Sequence, residues 1–395
     1  MKKPAALFLV FFVVYCCGFS QSWVKQESGT TEDLYSIYFL NTDTGFASGS
    51  NGTIIKTTDG GSSWATAHSN TTERISSLHF TNIQTGFAVC GSGLLKTTDS
   101  GENWFIQDSA SWLTGIRFIN QDTGFACGSG IILKTTDGGN TWVRQPGISG
   151  TVISFFAADA DVFYIGSDYS YILKTINGGI DWDVIHGPGF PVYYYGLHFM
   201  NPDTGFAAGG GWAMGSEAGI IMKTTDGGTS WGGFTSDKTV RSVHFVSNTS
   251  GYAAGNYGTI YKTNDTGNYW SQLNSGVTSN LNYIWFSDAS TGYAVGTNGV
   301  ILKTSNSGLG NISANYDETN FSIFPNPFAD RVTLKTLNYT SEEEICIYSI
   351  HGTLIFSQEI LNPETSLDLS FLEPGIYFAE LKSRQGSGIV RLIRL

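Results

Sequence analysis

Positive charge is scarce in this sequence. Lys and Arg total 21 against 33 Asp and Glu, a formal net charge of -12. Nothing in that balance could displace counterions along a phosphate backbone, so no nucleic-acid partner is expected. Charge of either sign is thin, at 14% of residues against roughly 25% in an average soluble protein. Cysteine is nearly absent: of five, Cys16 and Cys17 fall in the leader described below, leaving Cys90, Cys127 and Cys346. An odd, sparse set is no disulfide framework and reads as small buried hydrophobes. No apolar run reaches spanning length, so no transmembrane span is expected. Glycine is plentiful at 49 residues but lacks a G-x-y period, which excludes collagen. What is present in quantity is aromatic: 10 Trp, 19 Tyr and 26 Phe, too many for a disordered chain. At 395 residues, a Gly-rich, aromatic-rich, charge-poor chain implies an all-β protein with many tight turns, as two domains or one large architecture.

The N-terminus has the pattern of a signal peptide over residues 1–20. Lys2 and Lys3 form a basic region and Ala5 to Val14 an apolar one. Gly18-Phe19-Ser20 supplies a small-x-small cleavage site, placing the mature start near Gln21. A lipid anchor on Cys16 or Cys17 is disfavoured, since Tyr15 precedes Cys16 where a small residue is expected.

A repeat organises residues 21–309. The segment Gly45 to Trp64 returns down the chain, its Lys falling at Lys56, Lys96, Lys134, Lys174, Lys223, Lys262 and Lys303. Its Trp recurs at Trp64, Trp104, Trp142, Trp182, Trp231 and Trp270. Copies of about 40 residues match the period of a propeller blade. Each copy offers four short strands: an alternating run ending in Phe, a Gly-Phe/Tyr-Ala strand, a strand carrying the Lys, and a strand after the Trp. The seventh copy stops without its Trp strand, while Trp23-Val24-Lys25-Gln26 stands ahead of the first. The N-terminal strand is therefore expected to complete the last blade and close a seven-bladed ring, which removes two sheet edges.

The turn before each Trp carries Thr57-Thr58-Asp59-Gly60-Gly61-Ser62-Ser63-Trp64 and its variants. It resembles the Asp-box (BNR) repeat, S/T-x-D-x-G-x-T-W. Asp59/Trp64, Asp99/Trp104, Asp137/Trp142, Asp226/Trp231 and Asp265/Trp270 are the matching pairs, expected to be structural: the acid accepts turn N–H groups and the indole packs the hairpin. Copy four departs with Asn177 and copy seven with Asn306. The whole repeat is similar to the seven-bladed propellers of the photosystem II stability/assembly factor-like family, which implies a fold and a binding or assembly role.

Polar residues 310–320 read as a linker. Beyond them, residues 321–395 carry Phe324-Pro325-Asn326-Pro327-Phe328, short alternating strands, Ile350-His351-Gly352, Leu372 to Tyr377, and a basic-apolar terminus. The strands imply a small β-sandwich. The combination resembles the C-terminal sorting domain of type IX secretion. That resemblance implies a Bacteroidetes-type host, partnership with the type IX machinery, and a secreted or outer-surface location reached through the periplasm.

Because Asp-boxes also occur in sialidases and other glycosidases, a secreted glycan hydrolase is the rival to a non-catalytic binder. A sialidase needs an arginine cluster, whereas Arg74, Arg117, Arg144 and Arg241 lie in different repeats and read as scaffold. No catalytic residue and no cofactor is assigned. His79, His198 and His244 share one strand position, filled elsewhere by Tyr38, Arg117 and Trp285; such variety fits inter-blade packing, and no metal is assigned. Copy five is lengthened by Gly209 to Gly219, after a connection rich in Phe190, Tyr193, Tyr194 and Tyr195. Departures from a repeat map to loops on a binding face. Tyr193, Tyr194, Trp212 and Glu217 are the candidate ligand-binding residues, facing an unknown glycan or protein; the alternative is that they merely pack an enlarged loop.

Overall fold

A computed structural model describes residues 23–110, 112–146, 148, 150–167, 170–187, 192–213, 216–305, 321–336, 339, 343–349, 354–383 and 386–395. The expected signal peptide and linker, with Phe190, Met214, His351 and Gly352, lie outside the described residues. The chain divides into two units, one of which is Gln21–Gly310 and the other of which holds Asn311–Leu395.

Within Gln21–Gly310, the described residues form seven four-stranded antiparallel sheets. Six are meanders of four consecutive strands, and first strands are buried in part: Leu34–Phe39 buries Leu34, Ile37 and Phe39 and leaves Tyr35 and Tyr38 half-buried. Second strands such as Gly45–Gly49 and Gly292–Gly296 are buried along their whole length, as their Gly-Phe/Tyr-Ala composition requires. Gly45 is there for close approach, since a Cβ would lie 2.5 Å from the Phe39 ring. Fourth strands are short and exposed, as in Val143–Arg144.

The last sheet is built differently. Its order is Val24–Gln26, Ile301–Thr304, Gly292–Gly296, Leu281–Phe286, with Val24 opposite Lys303 and Gln26 opposite Ile301. Trp23 is fully buried in the same core as Leu281, Ile284 and Leu302, edge-on to Phe286 at 5.9 Å. First strands contact one another in succession, and Leu281–Phe286 also contacts Leu34–Phe39.

The Thr-x-Asp turns are closed by side-chain hydrogen bonds. Thr57 Oγ1 donates to Asp59 Oδ1 at 2.8 Å and accepts the N–H of Gly61 at 2.8 Å, where φ is 86°. Asp59 also accepts the N–H of Ser63 at 2.9 Å. Asn177 takes the same place in copy four, accepting from Thr175 at 3.0 Å and from the N–H of Asp181 at 2.9 Å. Trp64, Trp104, Trp142, Trp231 and Trp270 stand edge-on to Phe39, Phe80, Phe118, Phe199 and Phe245. The repeated Lys reaches the next sheet: Lys303 Nζ donates to Gly60 O at 2.7 Å and Lys134 Nζ to Ala160 O at 3.2 Å.

The insertion of copy five is a hairpin extension. Gly205–Ala213 and Ser216–Thr224 pair throughout, with Trp212 opposite Glu217 and Ala213 opposite Ser216, so its backbone groups are satisfied in a ladder.

In the second unit, a three-stranded and a four-stranded sheet share one core of Phe321, Phe328, Leu334, Ile345, Ile347, Leu367 and Leu392 among others. One of these short strands is Glu364–Asp368. It ends because Asp368 accepts the N–H of Ser370 at 3.1 Å and the N–H of Leu372 turns back to Leu369. No helix among the described residues is long and apolar enough to cross a membrane.

Candidate binding site in the central cavity

All seven first strands contribute to one cavity of about 1070 Å³. Its floor is a single strand position repeated in every sheet: Tyr38, His79, Arg117, Phe156, His198, His244 and Trp285. These side chains meet as neighbours. Ring centroids lie 4.8 Å apart for Tyr38 and His79, 5.9 Å for Tyr38 and Trp285, 5.3 Å for Phe156 and His198, and 5.3 Å for His198 and His244. Arg117 stacks on Phe156 at 4.4 Å.

The position two residues earlier carries Ser36, Ser77, Gly115, Ser154, Gly196 and Ser242, with Tyr283 in the last sheet. Small side chains there open the chamber above the floor. Just before the small position every first strand carries a register shift. A bulge re-aims the extra residue. The extra residues include Tyr35, Tyr195 and Arg241, all lining the cavity.

Two cation–aromatic pairs result at the mouth. Arg74 lies 3.8 Å over the Tyr35 ring and Arg241 5.3 Å over the Tyr195 ring. Arg241 Nε donates to Asn256 Oδ1 at 2.6 Å, and Asn256 Nδ2 in turn donates to Glu217 Oε1. Glu217 also accepts the N–H of Thr239 at 3.2 Å. Burial pushes the Glu217 carboxyl up, but these hydrogen bonds outweigh it and hold the group below the usual range. The floor histidines are driven towards neutrality by burial first and by Arg117 as well: His79 falls to about 3 and His244 to about 4. Burial lowers Arg117 and raises Tyr38 and Tyr283.

The four candidate residues part company. Tyr193 is 46% exposed, its ring 6.1 Å from Tyr195. Tyr194 is 2% exposed and packs in the core with Leu197 and Phe199, edge-on to His186, so its ring offers no face to a ligand. Trp212 occupies a strand position; its side chain lies outside the described residues. Glu217 acts through Asn256 on Arg241. The five Asp-box aspartates all sit in the turns. Sequence reasoning left the arginines as scaffold by assigning them to different repeats, whereas Arg117 and Arg144 stand on the first and fourth strands of one sheet. The ring of sheets brings Arg74, Arg117 and Arg241 to one cavity, while Arg144 stays outside, its guanidinium donating to Gly130 O at 3.2 Å. The available signal was their place at or next to first strands, which line the axis. Among the described residues no group of three or more His, Cys, Asp or Glu could hold a metal ion.

Residues 17–115 and 234–305 match the family described as photosynthesis system II assembly factor YCF48. Residues 322–394 match the secretion system C-terminal sorting domain. Both resemblances read from the sequence are thus met. No curated protein matches the chain. Among solved structures, YCF48 bound to D1 peptide is similar with a TM-score of 0.60 at 20% identity, covering 72% of this chain and 97% of that one. YCF48 from Cyanidioschyzon merolae gives 0.59 at 19%, covering 72% and 98%. An ancestral GH74 enzyme gives 0.60 at 13%, covering 94% of this chain and 63% of that one. At such identities the likeness is one of fold, and the fold of the larger unit is that of a β-propeller.

Proposed function

We propose that this chain is an exported, non-catalytic seven-bladed propeller, closed by its N-terminal strand, that holds a partner at the mouth of its central cavity. The observation that carries the reading is the pair of arginines on tyrosine faces at the mouth of one cavity, Arg74 on Tyr35 and Arg241 on Tyr195, in a chain of net charge -12. A guanidinium lying on a tyrosine face keeps its N–H edge free for a carboxylate, while the ring beside it supplies apolar contact. The partner class this favours is an acidic protein segment. Likeness in fold to a propeller solved with a bound peptide supports a peptide over a sugar. Ring closure is supported by the pairing of Val24–Gln26 with Ile301–Thr304 and by the bond from Lys303 to Gly60. The sorting-domain match supports passage through the periplasm and the type IX machinery to the outer surface or beyond.

A secreted glycan hydrolase is the second reading, favoured by the GH74 fold likeness and by Asp33 and Glu73 in the cavity lining. It is weakened by the first of these acids, whose Oδ1 accepts the backbone N–H of Asn298 at 2.9 Å and so holds a turn. The test is to pass the purified chain over immobilised acidic peptides and polysaccharides, measuring both retained protein and released sugar. Retention on peptide without sugar release is expected, with affinity falling at least tenfold in the Arg74→Ala/Arg241→Ala double variant. Released sugar overturns the non-catalytic reading. Retention indifferent to the double variant removes the mouth from the site.

A further inference from the structure

We infer that a small oxyanion binds inside the cavity at Arg117, on the floor beneath the mouth, at a site separate from the one that would hold a protein partner. Arg117 has its Nε fully buried and without a hydrogen-bond partner. Arg117 lines the cavity, and no salt bridge reaches it among the described residues. A guanidinium withdrawn from water and left unpaired is costly, so buried cations are ordinarily matched by an anion.

The surroundings supply no such anion from the protein. The floor residues facing Arg117 from the other six first strands are Tyr38, His79, Phe156, His198, His244 and Trp285, and Tyr283 is also close enough to share its field. None is a carboxylate. The lining acids Asp33 and Glu73 precede their first strands, at the mouth end. In the small-residue layer Ser154 Oγ gives its proton to Tyr194 O at 2.6 Å, and Ser242 Oγ accepts the N–H of Ile284 at 3.2 Å while keeping its own O–H. Arg117 is therefore the one charged side chain at the floor position, where the three imidazoles and the nearby Tyr283 phenol can donate a hydrogen bond, the Tyr38 hydroxyl being given to Phe80 O at 3.4 Å. An oxyanion accepting two parallel N–H bonds from the fork would complete the site. The shared chemistry is a compact, oxygen-bearing anion, either free phosphate or sulfate or a carboxylate.

Binding has a spectroscopic signature independent of any variant. An anion beside Arg117 offsets its repulsion of the neighbouring imidazoles, so His79 and His244 rise from about 3 and about 4. The experiment titrates the full chain with inorganic phosphate by calorimetry and by histidine side-chain NMR, and separately with acetate by calorimetry near neutral pH, where acetate is ionised. The expected result is saturable one-site binding, an upward shift of at least one pH unit in the His79 and His244 midpoints, and at least tenfold weaker binding in Arg117→Gln. Arg144→Gln serves as the matched control and should bind like the parent. Saturation by both probes identifies a site open to carboxylates, and saturation by phosphate alone a site for free tetrahedral anions. Failure of both to bind, equal affinity in Arg117→Gln, or unmoved histidines overturns the inference. Should Arg117→Gln not fold, Arg117→Lys keeps the charge without the fork and should retain weakened, saturable binding. No peptide is present in this titration, so a chain that binds phosphate but retains no acidic peptide fails only the preceding reading.

Discussion

A threonine hydroxyl holds each Asp-box turn closed. Thr135 is 1% exposed; its Oγ1 donates to Asp137 at 2.8 Å and accepts the buried N–H of Gly139 at 2.9 Å. Thr135→Val preserves the shape but leaves that N–H without an acceptor, which costs about 1–3 kcal/mol. A lower denaturant midpoint with an unchanged m-value is expected, and an unaltered midpoint would show that the hydroxyl is dispensable. Turns of this kind are legible in a sequence because donor and acceptor lie within six residues of one another. The Tyr193-Tyr194-Tyr195 run shows where such reading stops. Along a strand successive side chains alternate between faces, and the shift between Tyr194 and Gly196 interrupts that alternation. Burial of Tyr194 and arrival of Tyr195 at the cavity thus depend on a bulge that composition does not announce. Arg117 illustrates the same limit, since its neighbours come from strands far away in the chain.

At the scale of the element, the last sheet has Val24–Gln26 paired along its outer strand. The sequence discloses this through pattern alone: one repeat lacks its Trp strand and one Trp strand lacks its repeat. Trp23 is fully buried, and replacing so large a core side chain by Ala typically costs about 3–5 kcal/mol. Trp23→Ala should therefore lower the melting temperature of the chain clearly, and more than an exposed-edge change such as Val24→Ala, Val24 being 55% exposed. Equal melting temperatures for the two variants would mean that the terminal strand adds nothing to the ring. The copy-five insertion was legible as a break in the period but not as a hairpin. Its glycines and mixed polarity obscure the alternation, and what fixes it as strand is the continuing register between Gly209 and Ile220, Gly211 and Ala218. That extension sets Glu217 where it can reach Asn256 and, through it, Arg241.

The whole molecule joins two units with separate cores. Phe321 to Leu392 supply one core, and the propeller's clusters draw wholly on earlier residues. Each unit thus buries its own apolar surface, so deleting residues 321–395 should leave the propeller's unfolding transition within a degree or two of that in the full chain. The same deletion should change where the chain is found. In a Bacteroidetes-type host with type IX secretion, the truncated chain should accumulate in the periplasm while the full chain reaches the surface or medium. The reciprocal fusion, residues 311–395 placed behind an unrelated periplasmic protein, should carry that protein out. Fractionation with a periplasmic marker reads both arms. Export of the truncated chain would assign targeting to the propeller, whereas a fusion retained in the periplasm would mean that the C-terminal unit needs the propeller to be recognised. A lowered unfolding transition on truncation would refute the independence of the two cores.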